Sequence, residues 1–175
     1  MKKALLDQLT EWAGTRFSQP TVRFVDNYLD NGFCAQCRLC CGPQIGDAPY
    51  PMALLESQVT AKTPETFYLL DARTACLDER GCKALGPKGC TLSRPERPPA
   101  CGLFPLVVMD GALYLYRICP ASLFIPMVTW LSIAQKARDW LLGLPLADQK
   151  RISIHLPNDL LLERYSPLYL RLFSE

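Results

Sequence analysis

The chain has 175 residues, a hydrophobic fraction of 49% and a formal net charge of +2. This length suits one domain with its own core, and the near balance of charge excludes the basic footprint of a nucleic-acid-binding protein. We therefore expect a single domain over residues 1–175 and no nucleic-acid partner. Cysteine is the unusual component, with nine residues beside a single histidine. Nine cysteines are about 5% of the chain, below the roughly 8–10% of a disulfide scaffold in a short secreted protein.

The N-terminal residues 1–18 have the apolar spacing of one face of an amphipathic helix, which we expect to end near Pro20. Charged and polar residues interrupt this run too early for the apolar core of a signal peptide. The longest later apolar stretch, residues 121–133, is too short and too broken to span a bilayer. These features predict a cytoplasmic protein without a membrane partner, in which clustered thiols favour metal binding or redox chemistry over disulfides.

The middle of the chain is rich in turn-forming residues. Residues 21–33 have no clear apolar pattern. The cysteines, glycines and prolines of residues 34–51 predict a loop, and the apolar residues of 52–61 have helical spacing. A short apolar segment of undefined type covers residues 66–70. Residues 76–101 hold four cysteines among glycines and prolines, without a repeating apolar pattern. So long an irregular stretch in a compact domain needs another organising element, and we expect a metal to supply it.

Regular elements return after this stretch. The apolar runs between Leu103 and Arg117, on either side of Asp110-Gly111, predict a β-hairpin with a two-residue turn. Residues 126–142 have the spacing of an amphipathic helix. The residues on or near its apolar face are Trp130, Ile133, Ala134, Ala137, Trp140 and Leu141.

Two further elements are predicted beyond this helix. They are a short strand over residues 152–156 and a last helix from Asn158 through Arg164, which Ser166-Pro167 would end. Together the elements predict an α+β fold: an irregular cysteine-rich metal-binding centre with a β-hairpin, braced by N- and C-terminal helices. We expect the metal-binding region to cover about residues 30–120 and the helical C-terminal part about residues 121–175.

The sharpest motif is Cys34-x2-Cys37-x2-Cys40-Cys41. C-x2-C spacing lets a tight turn bring successive thiolates to one point, and both zinc and iron–sulfur sites use it. The bacterial ferredoxin run C-x2-C-x2-C-x3-C-P is matched as far as its third cysteine, but here the fourth cysteine follows immediately. Because neighbouring side chains diverge, either Cys40 and Cys41 serve different metals or one of them is not a ligand.

Five more cysteines are spaced more widely, so they would reach a metal through the fold: Cys76, Cys82, Cys90, Cys101 and Cys119. A glycine precedes Cys82 and another precedes Cys90, and glycine permits the close backbone approach that metal-binding turns favour. Cys76 has no turn residues beside it, so its role stays open between ligand and packing residue. The candidate thiolates fit two four-thiolate sites, one cluster with spare cysteines, or a binuclear site that shares thiolates.

These motifs, with Arg97-Pro98 before Cys101 and Phe104-Pro105 after it, resemble the C-x2-C-x2-C-C cysteine-cluster family, which is the YkgJ family of zinc- or iron-chelating domains. The resemblance covers about residues 30–120. It implies a metal or iron–sulfur site whose ligands are Cys34, Cys37, Cys40, Cys41, Cys82, Cys90, Cys101 and Cys119.

An all-thiolate ligand set selects soft or borderline metals: zinc, copper(I), or iron with sulfide. The only histidine, His155, lies between apolar residues, and we expect it to be packed or at the surface rather than a ligand. We predict a metal-binding protein that holds an iron–sulfur cluster of the 4Fe–4S type, or another iron or zinc centre. It would serve electron transfer or metal handling with an unidentified protein partner. The alternative is a structural-zinc protein-interaction module without catalytic activity, and no motif decides whether the chain is an enzyme.

Overall fold

The structure, a computed structural model, describes residues 21–37, 39–44, 49–87, 89–155 and 163–173. These residues form short helices and small antiparallel sheets, which confirms the mixed α and β class expected from the sequence. The helix predicted over residues 1–18 lies outside the described residues and stays a prediction. No helix in the described part of the chain is long and apolar enough to cross a membrane.

The strands are short and pair with near neighbours in the chain. In chain order they are β1 (Val22–Val25), β2 (Tyr28–Asn31), β3 (Tyr50–Ala53), β4 (Tyr68–Asp71), β5 (Thr74–Leu77), β6 (Leu85–Gly86), β7 (Gly89–Cys90), β8 (Leu106–Met109), β9 (Ala112–Tyr116) and β10 (Tyr165–Arg171). The sheets have the orders β1-β2, β3-β5-β4, β6-β7 and β10-β9-β8. Each small sheet leaves a face that must be covered by another element.

The described helices are mostly single turns. They are α1 (Cys34–Cys37), α2 (Thr63–Thr66), α3 (Pro99–Gly102), α4 (Pro120–Phe124), α5 (Met127–Leu142) and α6 (Leu146–Ile152), with 3-10 turns at Leu39–Cys41, Glu56–Gln58 and Arg94–Glu96. The long helix α5 begins directly after Pro126, so the helix predicted over residues 126–142 is confirmed. Five of the six residues expected on its apolar face are buried: Trp130, Ile133, Ala134, Ala137 and Leu141.

The main core lies between α5 and the sheet of β8, β9 and β10. Leu106 and Leu113 from the sheet and Trp130 from α5 are each fully buried. Asp110 and Gly111 have positive φ angles of 45° and 68° at the turn between β8 and β9, where the sequence predicts the two-residue turn. This layer supplies most of the apolar burial, at roughly 1.5–3 kcal/mol for each large side chain.

The hairpin of β1 and β2 was not evident from the sequence, which left residues 21–33 undefined. Its turn is formed by Asp26 and Asn27, with positive φ angles of 49° and 68°. These residue types tolerate left-handed backbone better than most, and such turns match the twist of paired strands. After β2, the Asn31 side chain accepts a hydrogen bond of 3.0 Å from the Phe33 N–H, which turns the chain into α1.

The helix predicted over residues 52–61 is wrong. Residues 52 and 53 belong to β3, which pairs with β5 in the register Met52↔Ala75, and only a 3-10 turn follows at Glu56–Gln58. The run from Met52 to Leu55 is buried throughout. A strand buried on both faces loses the alternation that identifies a strand in sequence, so its pattern resembles a helix.

Residues 76–101 are more regular than expected. They contain the end of β5, the hairpin of β6 and β7, a 3-10 turn and α3. Leu92 and Ala100 from this stretch pack on a second, smaller core. That core consists of Met52, Leu54, Phe67, Ala75 and Leu77. A metal is therefore not needed to explain the whole of this stretch.

The C-terminal expectations hold only in part. Ile152 ends α6, and Ile154 forms a single parallel bridge to Met109 in place of the predicted strand. Ser166 and Pro167 lie inside β10, so they do not simply end a helix there. Asn158, the expected start of that last helix, lies outside the described residues.

Candidate metal centre

The first three cysteines of the C-x2-C-x2-C-C motif are placed by one helical turn and one 3-10 turn. Cys34 and Cys37 are the two ends of α1, and the Cys37 N–H donates to the Phe33 carbonyl at 3.1 Å. Residues three apart lie on the same side of a helical turn. Cys40 then falls in the 3-10 turn Leu39–Cys41. The local backbone therefore turns all three cysteines toward one side.

These cysteines line one small cleft, which we call the cysteine cavity. Its walls are Phe33, Cys34, Cys37, Cys40, Cys41, Cys119 and Pro120. Cys119 lies just after the β8–β9 hairpin, far from the motif in sequence, and directly precedes α4. The fold therefore adds a fifth cysteine, with its following proline, to the four motif cysteines that line the cavity.

Cys119 is buried directly before α4, and the Ser122 N–H donates to the Cys119 carbonyl at 2.9 Å. Burial raises the pKa of the Cys119 thiol, and the backbone N–H groups of Ala121 and Ser122 lower it in part. The thiolate is the form that binds metals, so Cys119 would lose its proton on ligation.

The thiols of Cys34 and Cys40 hold their protons strongly. Burial and, after it, negative charge on Cys119 and the other cavity cysteines together raise the pKa of each to about 12. Arg97 lowers the pKa of Cys34, and its side-chain Nε donates to the Leu92 carbonyl at 3.2 Å. Several buried thiolates this close are unfavourable together unless a cation neutralises them, so ligation here releases protons.

The other four predicted ligands form a second group: Cys41, Cys82, Cys90 and Cys101. We call it the second cysteine group. The Cys82 N–H donates to the Cys41 carbonyl at 2.8 Å, and the Cys101 sulfur lies 3.3 Å from the Met52 sulfur. Burial raises the pKa of Cys41 to about 11, with Cys82 and Cys90 the next contributions. Cys41 therefore faces this group as well as the cavity.

Two other candidates lie elsewhere. Cys76 is buried in β5, opposite Pro51 and Tyr68, and is not a wall of the cysteine cavity. His155 has a side chain 82% exposed, with Nδ1 2.8 Å from an Asp110 carboxylate oxygen. Both positions agree with the non-ligand roles that the sequence allowed.

Exposed apolar side chains lie close in the chain to residues of the cavity wall, a feature that the sequence did not reveal. Leu39, beside Cys40, is 72% exposed, and Leu123 in α4 is 71% exposed. Phe124 stacks on Phe33 with ring centroids 6.0 Å apart. The sequence feature that could have predicted this surface is an apolar residue next to a candidate ligand, such as Leu39 beside Cys40. A grouped apolar surface of this kind is typical of a contact site.

The described residues contain no preformed site for a single ion, because no group of three or more Cys, His, Asp or Glu side chains there could hold one. A zinc ion needs four sulfurs at about 2.3 Å from one point, which places them about 3.8 Å from each other. An iron–sulfur cluster instead takes each cysteine sulfur at a different iron.

In comparisons with known proteins, the chain matches no family model, no curated protein and no solved structure. The resemblance to the cysteine-cluster family therefore stays a prediction.

Proposed function

We propose that this protein carries a 4Fe–4S cluster in the cysteine cavity, with Cys34, Cys37, Cys40 and Cys119 as its ligands. The observation that supports this most is that Cys119-Pro120 lines the same cavity as the C-x2-C-x2-C run. In ferredoxins, three closely spaced cysteines and one distant Cys-Pro together hold a cluster. This chain has the same combination, because Cys119-Pro120 lines the cavity together with the three closely spaced cysteines.

When bound, the cluster supplies one-electron transfer. The residues of the chain set its surroundings. The backbone N–H groups of Ala121 and Ser122 offset part of the effect of burial on the pKa of Cys119, and N–H groups near a ligating sulfur raise the reduction potential of a cluster. Phe33 and Pro120 supply apolar walls, while Arg97 offsets part of the negative charge of the thiolates. Electron transfer is the reaction class that needs no further catalytic group.

The proposal is tested with anaerobically purified protein, by iron and sulfide analysis and by visible charge-transfer absorption. Wild-type protein is expected to be brown and to contain iron and sulfide in equal amounts. Cys37→Ser should lose most of the iron, because it removes a ligand from the cavity wall. Cys76→Ser is the matched control and should keep the iron, because Cys76 packs in β5. Full iron content in Cys37→Ser would refute the assignment.

A second candidate function is the structural-zinc protein-interaction module. It is favoured by the exposed apolar side chains around the cavity mouth, including Leu39, Ile118 and Phe124. In that case the protein is colourless, binds zinc in a fixed ratio and unfolds when a chelator removes it. The metal analysis above therefore separates the two functions.

A further inference from the structure

We propose that the exposed apolar side chains at the start of α5 form a docking surface for residues 1–18 of the same chain, which the sequence predicts to be an amphipathic helix. We call residues 1–18 the leading segment and the surface the α5 apolar surface. Its residues are Phe124, Met127, Val128 and Leu131. The inference does not depend on the metal in the cysteine cavity, so it goes beyond the proposed function.

The α5 apolar surface is well exposed. Val128 is 73% exposed and Phe124 is 63% exposed. Met127, Val128 and Leu131 lie on one side of α5, because residues three and four apart are neighbours on a helix. Phe124 comes three residues earlier, at the end of α4. Single exposed apolar residues are normal, but several together on one side of a helix mark a contact site.

This surface has a definite end within α5. Further along the same side of the helix come Gln135 and Arg138, which are polar. The Arg138 Nε donates to the Arg171 carbonyl of β10 at 2.7 Å. The side of α5 that carries Trp130 and Ala134 is already buried in the main core. The apolar area left uncovered is therefore confined to the first turns of α5 and the end of α4.

The leading segment joins the described fold beside this surface. Thr21 is the first described residue, and its carbonyl accepts a hydrogen bond of 3.0 Å from the Gly32 N–H. The next residue, Phe33, stacks on Phe124 with the two rings only 4° from parallel. The point where the leading segment enters the fold is therefore held next to the α5 apolar surface.

The leading segment carries an apolar face of its own. One side of the predicted helix holds Leu5, Leu6, Leu9, Trp12 and Ala13. Most of the stability of such a helix comes from packing this face against another element. A helix of 18 residues is about 27 Å long and the 16 residues of α5 span about 24 Å, so the two are matched in length.

The covalent connection favours this occupant over a second copy or another protein. Only Gln19 and Pro20 separate the leading segment from Thr21. So short a connection gives an effective concentration on the order of millimolar, which a free partner must exceed to compete. Proline at position 20 is also unfavourable inside a helix, so the chain can turn there and lie back across α5.

Hydrogen exchange with mass spectrometry on the reduced full-length protein tests the docking. Amides of residues 5–13 should be protected in the wild type, and Val128→Asp should lower their protection at least about tenfold. Leu146→Asp is the matched control, because it places the same charge at an apolar residue that is 55% exposed in α6, outside the surface. It should leave the protection unchanged.

A double variant tests whether the two faces meet. Leu9→Asp and Val128→Asp break the same contact, so the double variant should lose no more protection than either single variant. Far-UV circular dichroism checks folding, and Met127→Asp takes the place of Val128→Asp if that variant does not fold.

Three results would overturn the proposal. The first is wild-type protein without protection at residues 5–13, and the second is protection that survives a folded Val128→Asp or Met127→Asp variant. The third is protection that disappears on dilution together with a dimer seen by light scattering, which would place a second copy on the surface. A monomer with concentration-independent protection supports docking of its own leading segment.

Discussion

Arg73 and Asp148 form the most buried ion pair among the described residues. The Arg73 guanidinium lies 2.5 Å from an Asp148 carboxylate oxygen, and the Asp148 side chain is only 8% exposed. Removing the cation leaves a buried carboxylate without its partner. Arg73→Ala should therefore lower the free energy of unfolding by about 3 kcal/mol, the low end of the range because the Arg73 side chain is 28% exposed. Urea unfolding measures this loss.

Arg151→Ala provides the matched control, because it removes the same side chain from an exposed pair. Arg151 lies 3.2 Å from Asp71, and the two side chains are 38% and 56% exposed. Exposed pairs contribute about 0–1 kcal/mol, so this variant should be close to wild type. Equal losses in the two arginine variants would mean that burial of Asp148 does not determine the strength of its pair.

At the level of single residues, the sequence predicted which cysteines are candidate ligands but not which of them lie together in the fold. The spacing of Cys34, Cys37 and Cys40 indicates a shared site because the distance between them is set by local backbone. The position of Cys119 in the same cavity depends on the packing of α4 and the β8–β9 hairpin, which spacing does not encode. The adjacency of Cys40 and Cys41 suggested that they serve different sites. The hydrogen bond from the Cys82 N–H to the Cys41 carbonyl, which sequence does not predict, shows that Cys41 lies beside Cys82.

Among the elements, the turn before Cys82 can be tested with two glycines that differ in their surroundings. Gly81 has a φ of +75° and contacts the Gly42 and Pro43 backbone, whereas Gly89 has a φ of +107° with nothing within 4 Å of an added Cβ. Gly81→Ala combines backbone strain with overpacking and should destabilise by about 2–4 kcal/mol. Gly89→Ala has the strain alone and should destabilise by about 1–2 kcal/mol.

Thermal and urea unfolding of the two variants check this order. A Gly81→Ala protein as stable as Gly89→Ala would show that the loops of Cys41 and Cys82 are not in contact.

Elements with strong local signals were predictable, and elements fixed by distant pairing were not. Helix α5 repeats its apolar residues at helical spacing, and the β8–β9 turn has Asp110-Gly111 in left-handed backbone. In contrast, β3 pairs with β5 across more than twenty residues, and its continuous burial hides its alternation. Local propensity and periodicity therefore identified the first two elements but gave the wrong type for the third.

For the whole molecule, the proposed cluster and the main core would stabilise different parts of the chain. The main core joins α5 to the sheet of β8, β9 and β10, and Cys119 is the one proposed cluster ligand buried in it. The other proposed ligands lie in the single turn α1 and the 3-10 turn after it, and none of them is buried. Removing the metal should therefore loosen residues 34–44 without unfolding α5, because Trp130 and Leu113 are buried among other apolar side chains of the main core.

Hydrogen exchange with mass spectrometry tests this division, with metal-loaded protein compared with protein treated with a chelator under reducing, anaerobic conditions. Amides of residues 34–44 should lose protection at least about tenfold, while β8, β9 and α5 keep most of theirs. Uniform loss of protection through α5 would instead show that metal binding and folding are one process, as in small zinc domains.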